Sequence, residues 1–222
     1  MTPFHDFPVT MIAVTVWAYW SCVVVLVVRS HLRFRTAAGS VPRTSNERRM
    51  WAVWVPAIIL WQIFPAVSCV ASSPFFTLPT WAVENPLVLS GRWFAAAMGV
   101  VALGLTIPCW LGMGRNWSMA IVPGKKCRLI TSGMFSYVRH PIYALSIMLM
   151  LATMVVTLTP AMTVVGLIHI TMLFNKSVNE ERYLTSVHGE AYSDYCQRTG
   201  RFVPRLFQPV ELDEEDPQRK AA

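Results

Sequence analysis

VTMIAVTVWAYWSCVVVLVV, residues 9–28, runs for 20 residues without a charged side chain. At a helical rise of about 1.5 Å per residue, a stretch this long crosses roughly 30 Å, the hydrocarbon thickness of a bilayer. It predicts a membrane-spanning helix. The preceding MTPFHDFP holds Asp6 and no Lys or Arg, so it lacks the positive leader of a cleaved signal segment.

Two further apolar runs lie at residues 51–73 and 93–113, with Pro56, Pro65 and Pro108 as expected bends. A fourth covers 141–157, Pro160 interrupts it, and a fifth covers 161–174. The last two are short for full crossings and predict a helical hairpin. The expected fold is therefore all-α: a polytopic transmembrane protein of about five helices. Trp51, Trp54, Trp93, Trp110 and Trp117 fall near the predicted ends, where indole prefers the membrane interface.

The composition of the 222 residues agrees, with 54% hydrophobic, 14% charged and a mean hydropathy of +0.44. A soluble domain carries about 25% charge. Disorder, collagen-like repeats and a secreted disulfide scaffold are excluded by the same numbers. The five cysteines show no metal-ligand spacing, so neither zinc nor a disulfide framework is expected. The net charge of +7 comes from basic residues between apolar runs, which read as topology signals rather than as a nucleic-acid surface. Arg29, Arg33, Arg35, Arg43, Arg48 and Arg49 fill residues 29–50, whereas residues 74–91 carry no Lys or Arg. Arg115, Lys125, Lys126, Arg128 and Arg139 fill residues 114–140. This asymmetry predicts an outside N-terminus and a cytoplasmic C-terminus. The acidic run at 211–216 reads as a solvated tail.

Polar residues gather in two segments, TSGMFSYVRHPIY (131–143) and NKSVNEERY (175–183). The hairpin between them goes out and returns, so Arg139, His140, Glu180 and Glu181 should meet at one membrane face. Pro141 suits a first helical position, and the helix start behind Arg139 and His140 favours an anion. Glu180 and Glu181 offer acceptors to an ammonium, hydroxyls or a guanidinium, while Tyr137, Tyr143 and Tyr183 can pack against a ring or a cation. Taken singly, each motif also fits an interface anchor or an exposed salt-bridged face. His169 reads as a packed or interfacial residue near a cytoplasmic helix end.

These residues carry a resemblance. Residues 129–143, EERYL (180–184), HGEAY (188–192), Tyr195 and RFVP (201–204) look like the C-terminal half of the isoprenylcysteine carboxyl methyltransferase and phospholipid methyltransferase group. LGMGRNWS (111–118) resembles the entry to that region. The resemblance implies an integral membrane enzyme using S-adenosylmethionine, with Tyr137, His140, Pro141, Tyr143, Glu180 and Glu181 lining the cofactor site. It implies catalytic roles for Arg139, next to the reacting centre, and for Glu180. Gly133, Gly112, Gly114 and Tyr192 are neighbours. The chain then divides into N-terminal membrane helices (1–113), a catalytic region with the hairpin (114–205) and the acidic tail (206–222). Two departures are Met134-Phe135, where the family commonly has Pro-Tyr, and Leu145, where glycine is frequent and whose bulk narrows the pocket beside Tyr143.

Methyl transfer from a sulfonium is an in-line displacement, for which the protein aligns the partners and excludes water. A carboxylate acceptor needs a positioning cation, for which Arg139 is the candidate; an amine needs a base, for which His140 or a glutamate is. Carboxyl O-methylation of a lipophilic or lipid-modified substrate is the favoured expectation, with phospholipid or other amine N-methylation as the alternative. Two other classes remain. Membrane sterol reductases share the Arg-His and Tyr pattern but use NADPH, and call for more phosphate-directed cations and a longer chain. A non-catalytic scaffold or channel is the other, and a channel would place ionisable groups inside the spans.

Overall fold

The computed structural model describes residues 6–34, 45–114, 117, 119 and 129–205. Among them are seven α-helices: α1 (Phe7–Phe34), α2 (Ser45–Val67), α3 (Trp81–Glu84), α4 (Pro86–Met113), α5 (Pro141–Thr157), α6 (Pro160–His188) and α7 (Glu190–Arg198). A single 3-10 turn (Gly133–Ser136) precedes α5. α1, α2, α4 and α6 are long and apolar enough to cross a membrane, and α5 is a shorter apolar helix. The protein is an all-α, multi-pass integral membrane protein. Arg35, Arg43, Arg115, Asn116, Ser118, Lys125, Lys126, Cys127, Arg128 and the acidic tail lie outside the described residues.

Several boundaries differ from the sequence reading, each for a local reason. α4 begins at Pro86 because the Asn85 side chain accepts hydrogen bonds from the N–H groups of Leu87 and Val88, while Pro86 needs no N–H partner. That start draws Arg92 into the span. α2 runs unbroken through Pro56 and Pro65 and stops at Val67. The hairpin is asymmetric: α5 has 17 residues and α6 has 29, so the polar segment 175–183 is the continuation of a membrane helix. Leu158, at φ 48°, closes the turn, and Thr159 caps α6 by accepting from the Met162 N–H.

Helix α4 presents Ala95, Ala96, Gly99 and Ala102 to its neighbours, and small residues let helices approach closely in lipid. A methyl group on Gly99 would lie 2.5 Å from Ile12 Cδ1 and 3.2 Å from Leu149 Cδ1, so α1 and α5 both depend on its absence. Arg92 and Asp6 are both buried where α1 and α4 start. Arg92 Nη2 donates to both Asp6 oxygens, Nε donates to the Val156 carbonyl at 2.8 Å, and Nη1 donates to the Ala82 carbonyl. Asp6 also accepts the Val9 N–H, capping α1. One neutralised pair thus ties four elements together.

The interfacial placement expected for the tryptophans does not describe Trp54 and Trp110, which are buried in the core, while Trp93 is exposed. Trp54 has an internal partner for its N–H: it donates to His169 Nδ1 at 3.1 Å, and His169 Nε2 lies 3.1 Å from Ser146 Oγ. His169 is fully buried inside α6, so it belongs to the bundle interior rather than to an interface.

Candidate active site

The start of α5 is held in place from the far end of the chain. After α6, Gly189 at φ 55° reverses the backbone into α7, and residues 199–201 return alongside residues 137–140. The Arg139 N–H donates to the Gly200 carbonyl at 2.8 Å and the His140 N–H to the Arg201 carbonyl at 3.1 Å. Gly200 is required there, since a Cβ would stand 1.7 Å from the Val203 carbonyl oxygen. Tyr195 completes the strap by donating to the Phe135 carbonyl at 2.6 Å, and burial pushes its phenol up to about 12.

Within this frame the two adjacent glutamates do different things. Glu181 is a clamp. Its Oε1 accepts from Arg139 Nε and Arg201 Nε, both at 3.0 Å, and its Oε2 accepts from Arg201 Nη2 at 2.5 Å. His140 Nε2 stands 3.3 Å from Oε1. The Glu181 carboxylate raises the already high pKa of Arg201 still further. Arg139 Nη1 donates to the carbonyls of Cys196 and Thr199. Both arginines therefore lock the strap to the hairpin.

Glu180 turns the other way, toward α2. Its Oε1 accepts from the Tyr143 hydroxyl at 2.5 Å and lies 3.5 Å from Lys176 Nζ, one helical turn back. His140 Nδ1 is 3.7 Å from its Oε2, and the His140 ring stacks on Tyr143 with parallel planes and centroids 5.4 Å apart. Lys176 also donates to the Met119 carbonyl and lies 5.8 Å over the Trp54 ring and 5.9 Å over the Tyr143 ring. The anion expected near the start of α5 is therefore the protein's own glutamate pair.

Two crevices meet at Lys176 and Trp54. One is lined by Glu47, Met50, Trp51, Asn179 and Glu180 besides those two. The other runs into the bundle between α1, α5 and α6 past Tyr143, Ile142, Leu173 and Ser146. Two carboxylates, Glu47 and Glu180, and the Lys176 ammonium, flanked by indole and phenol faces, form the chemistry around their junction.

The structure thus brings together Arg139, His140, Pro141, Tyr143, Glu180 and Glu181 at one end of the bundle. Tyr137 is exposed and stands apart from this cluster. Arg139 bonds to the strap through Nη1 and to Glu181 through Nε, and it lines neither crevice. Leu145 is packed in the core, so it narrows neither crevice. Tyr192 is buried in α7 behind the strap. Sequence reasoning missed Lys176, Arg201 and the Ser146–His169–Trp54 chain. The spacing of Lys176 four residues before Glu180 was a usable signal; the partners of His169 lie on other helices and left none. Among the described residues, no group of three or more His, Cys, Asp or Glu side chains is placed to hold a metal ion.

Residues 95–186 match the model of the isoprenylcysteine carboxyl methyltransferase (ICMT) family. The chain is 30% identical over 118 residues to the cobalt-zinc-cadmium resistance protein CzcN of Cupriavidus metallidurans, covering 52% of this chain and 53% of that protein. It is 28% identical over 116 residues to the nickel-cobalt-cadmium resistance protein NccN of Alcaligenes xylosoxydans xylosoxydans, covering 51% and 53%. The match spans about half the length of these relatives.

Proposed function

We propose that the chain methylates a carboxylate on a lipophilic acceptor, using S-adenosylmethionine. The observation that carries this reading is the Lys176–Glu180–Tyr143 junction, where one anion, one cation and aromatic faces meet between two crevices. That donor set fits the cofactor. Glu180 and Tyr143 suit its ammonium and hydroxyls, and the aromatic faces suit its cation and its flat base. Bound there, the cofactor supplies an electrophilic methyl group.

The residues of the chain do the rest by placement. Lys176, rather than Arg139, is the cation beside the crevices and holds the acceptor's anion. A carboxylate is already nucleophilic at neutral pH, so the site needs no base for it. Arg139, Arg201 and Glu181 fix the strap, and the strap fixes His140 and Tyr143. Apolar tails enter from the bilayer between helices. Arg29, Arg48 and Arg49 flank the ends of α1 and α2 nearest the site, and Arg92 at the other end is neutralised by Asp6. This charge distribution supports a cytoplasmic site and an outside N-terminus. The names of the relatives concern metal resistance and name no methyl acceptor.

The test is incubation of purified protein with native lipid extract and methyl-labelled cofactor. Label recovered in a lipid-soluble product and released as methanol by mild base marks a methyl ester. Base-stable label marks an amine acceptor, and no transfer to any lipid-soluble product removes the reading.

A further inference from the structure

His169 is fully buried in α6, about two helical turns before Lys176, and the chemistry proposed for the site does not use it. Trp54 can only donate, so His169 Nδ1 accepts from it at 3.1 Å and the neutral ring carries its hydrogen on Nε2. Ser146 Oγ on α5 lies 3.1 Å from Nε2 and receives that hydrogen. The imidazole is hemmed in besides. The Trp61 ring lies against it with centroids 4.8 Å apart, and Trp61 is itself pinned by donating to Thr153 Oγ1 at 3.0 Å. The acceptor offered to Trp54 is therefore held from three helices.

Trp54 carries this constraint to the site. Trp54 and Lys176 are the two residues that line both crevices. The Lys176 ammonium lies over two rings, Trp54 at 5.8 Å and Tyr143 at 5.9 Å. Each ring has its own anchor: the Tyr143 hydroxyl donates to Glu180 Oε1 at 2.5 Å, and the Trp54 N–H donates to His169. A cation is attracted to the face of a ring and repelled by its edge, so the plane of the indole decides where the ammonium rests. A buried indole N–H left without an acceptor is costly, so the one acceptor present selects that plane.

We propose that His169 is a positioning residue for Lys176: by accepting the Trp54 N–H it turns the indole face toward the ammonium and so places the cation between the two crevices. The consequence for a ligand, that a cation held there discriminates a free carboxylate from its ester, rests on the carboxyl-methylation reading of the site.

The experiment reads Lys176 directly. The chain has four lysines, so reductive methylation of the detergent-solubilised full chain with 13C-formaldehyde gives few N-methyl signals, and Lys176→Met assigns the relevant one. Methylation keeps the charge. In the wild type this signal is expected upfield of the other lysines, because ring currents act over the two faces. His169→Leu should move it toward the ordinary lysine position. His169→Asn is of similar size, but its Oδ1 overlays Nδ1, and it should keep the signal upfield. His169→Gln, whose amide reaches toward Ser146 instead, is a second test and should behave as His169→Leu. A signal unmoved in both His169→Leu and His169→Gln, or moved equally in His169→Asn, overturns the proposal.

The consequence is read on unmethylated protein with cis-parinaric acid and its methyl ester, whose fluorescence reports binding; micelle partitioning is common to all variants. The wild type is expected to favour the acid about tenfold, the worth of one charged hydrogen bond. His169→Leu should reduce that ratio about threefold, the worth of one cation–π contact. A ratio that His169→Leu leaves undiminished also overturns the proposal. A wild type that shows no acid preference, or no binding of S-adenosylhomocysteine, while the Lys176 signal still follows residue 169, removes the carboxyl-methylation reading and leaves the positioning in place.

Discussion

Arg92 and Asp6 join the fourth helix to the first by a two-pronged ion pair, with Arg92 Nη2 2.7 and 2.8 Å from the two carboxylate oxygens. The pair lies at the end of the bundle away from Glu180. Removing one partner strands the other charge in an apolar interior, so Asp6→Asn and Arg92→Met should each destabilise by about 3–5 kcal/mol. Replacing both by apolar residues should recover much of the loss. Thermal unfolding of the two single variants and the double variant measures this coupling; additive losses would show that the pair does not act as a unit.

Glu181 serves the strap and Glu180 serves the crevices, so their amides should fail differently. Glu181→Gln is expected to lower stability by about 3 kcal/mol, because two guanidinium groups lose their shared carboxylate. It should also expose residues 199–205 to protease. Glu180→Gln should leave the strap protected and weaken S-adenosylhomocysteine binding about tenfold. Limited proteolysis and calorimetric titration of both variants separate the two roles.

Lys176 can be tested against Arg139 as the cation that meets the acceptor. Lys176→Met should reduce methyl transfer about 10–100-fold while cofactor affinity stays within about threefold, and Lys176→Arg should restore part of the rate. An equal loss of cofactor affinity would move Lys176 to the donor's side of the junction.

Tyr195 gives a pH signature. Its phenol ionises near 12 in the folded chain against 10.0 ordinarily, with burial as the leading cause. The folded state therefore holds its proton more tightly than the unfolded one. The stability this contributes is whole below pH 10.0 and is lost as pH rises through about 12. Tyr195→Phe should flatten that decline in melting temperature between pH 10 and 12 while lowering the midpoint at neutral pH, because the bond to the Phe135 carbonyl is gone.

How far the sequence could be read depended on the range of the signal. Residues 9–28 announce their helix by composition alone, and the return of residues 141–174 follows from Pro160 and arithmetic. The meeting of His140 with Glu180 and Glu181 was legible for that reason. Local chemistry set what was misread. Asn85 and Pro86 start α4 earlier than hydropathy does, because a cap depends on hydrogen bonds and not on polarity averages, and Arg92 came inside with them. Trp54 and Trp110 were read as interfacial because indoles favour that position; the partner that draws Trp54 inward, His169, lies 115 residues away. The bonds of Arg139 to the strap had no local signal, because their partners arrive from residues 196–201.

The pairing of Gly200 with Val138 orders events during synthesis. The hairpin can enter the bilayer as soon as α6 has been made, but Arg139 and His140 gain their backbone partners only when residues 199–201 have left the ribosome. A nascent chain is thus inserted before it is competent. Truncation after α6 is therefore expected to leave a chain that inserts but lacks the backbone partners of Arg139 and His140.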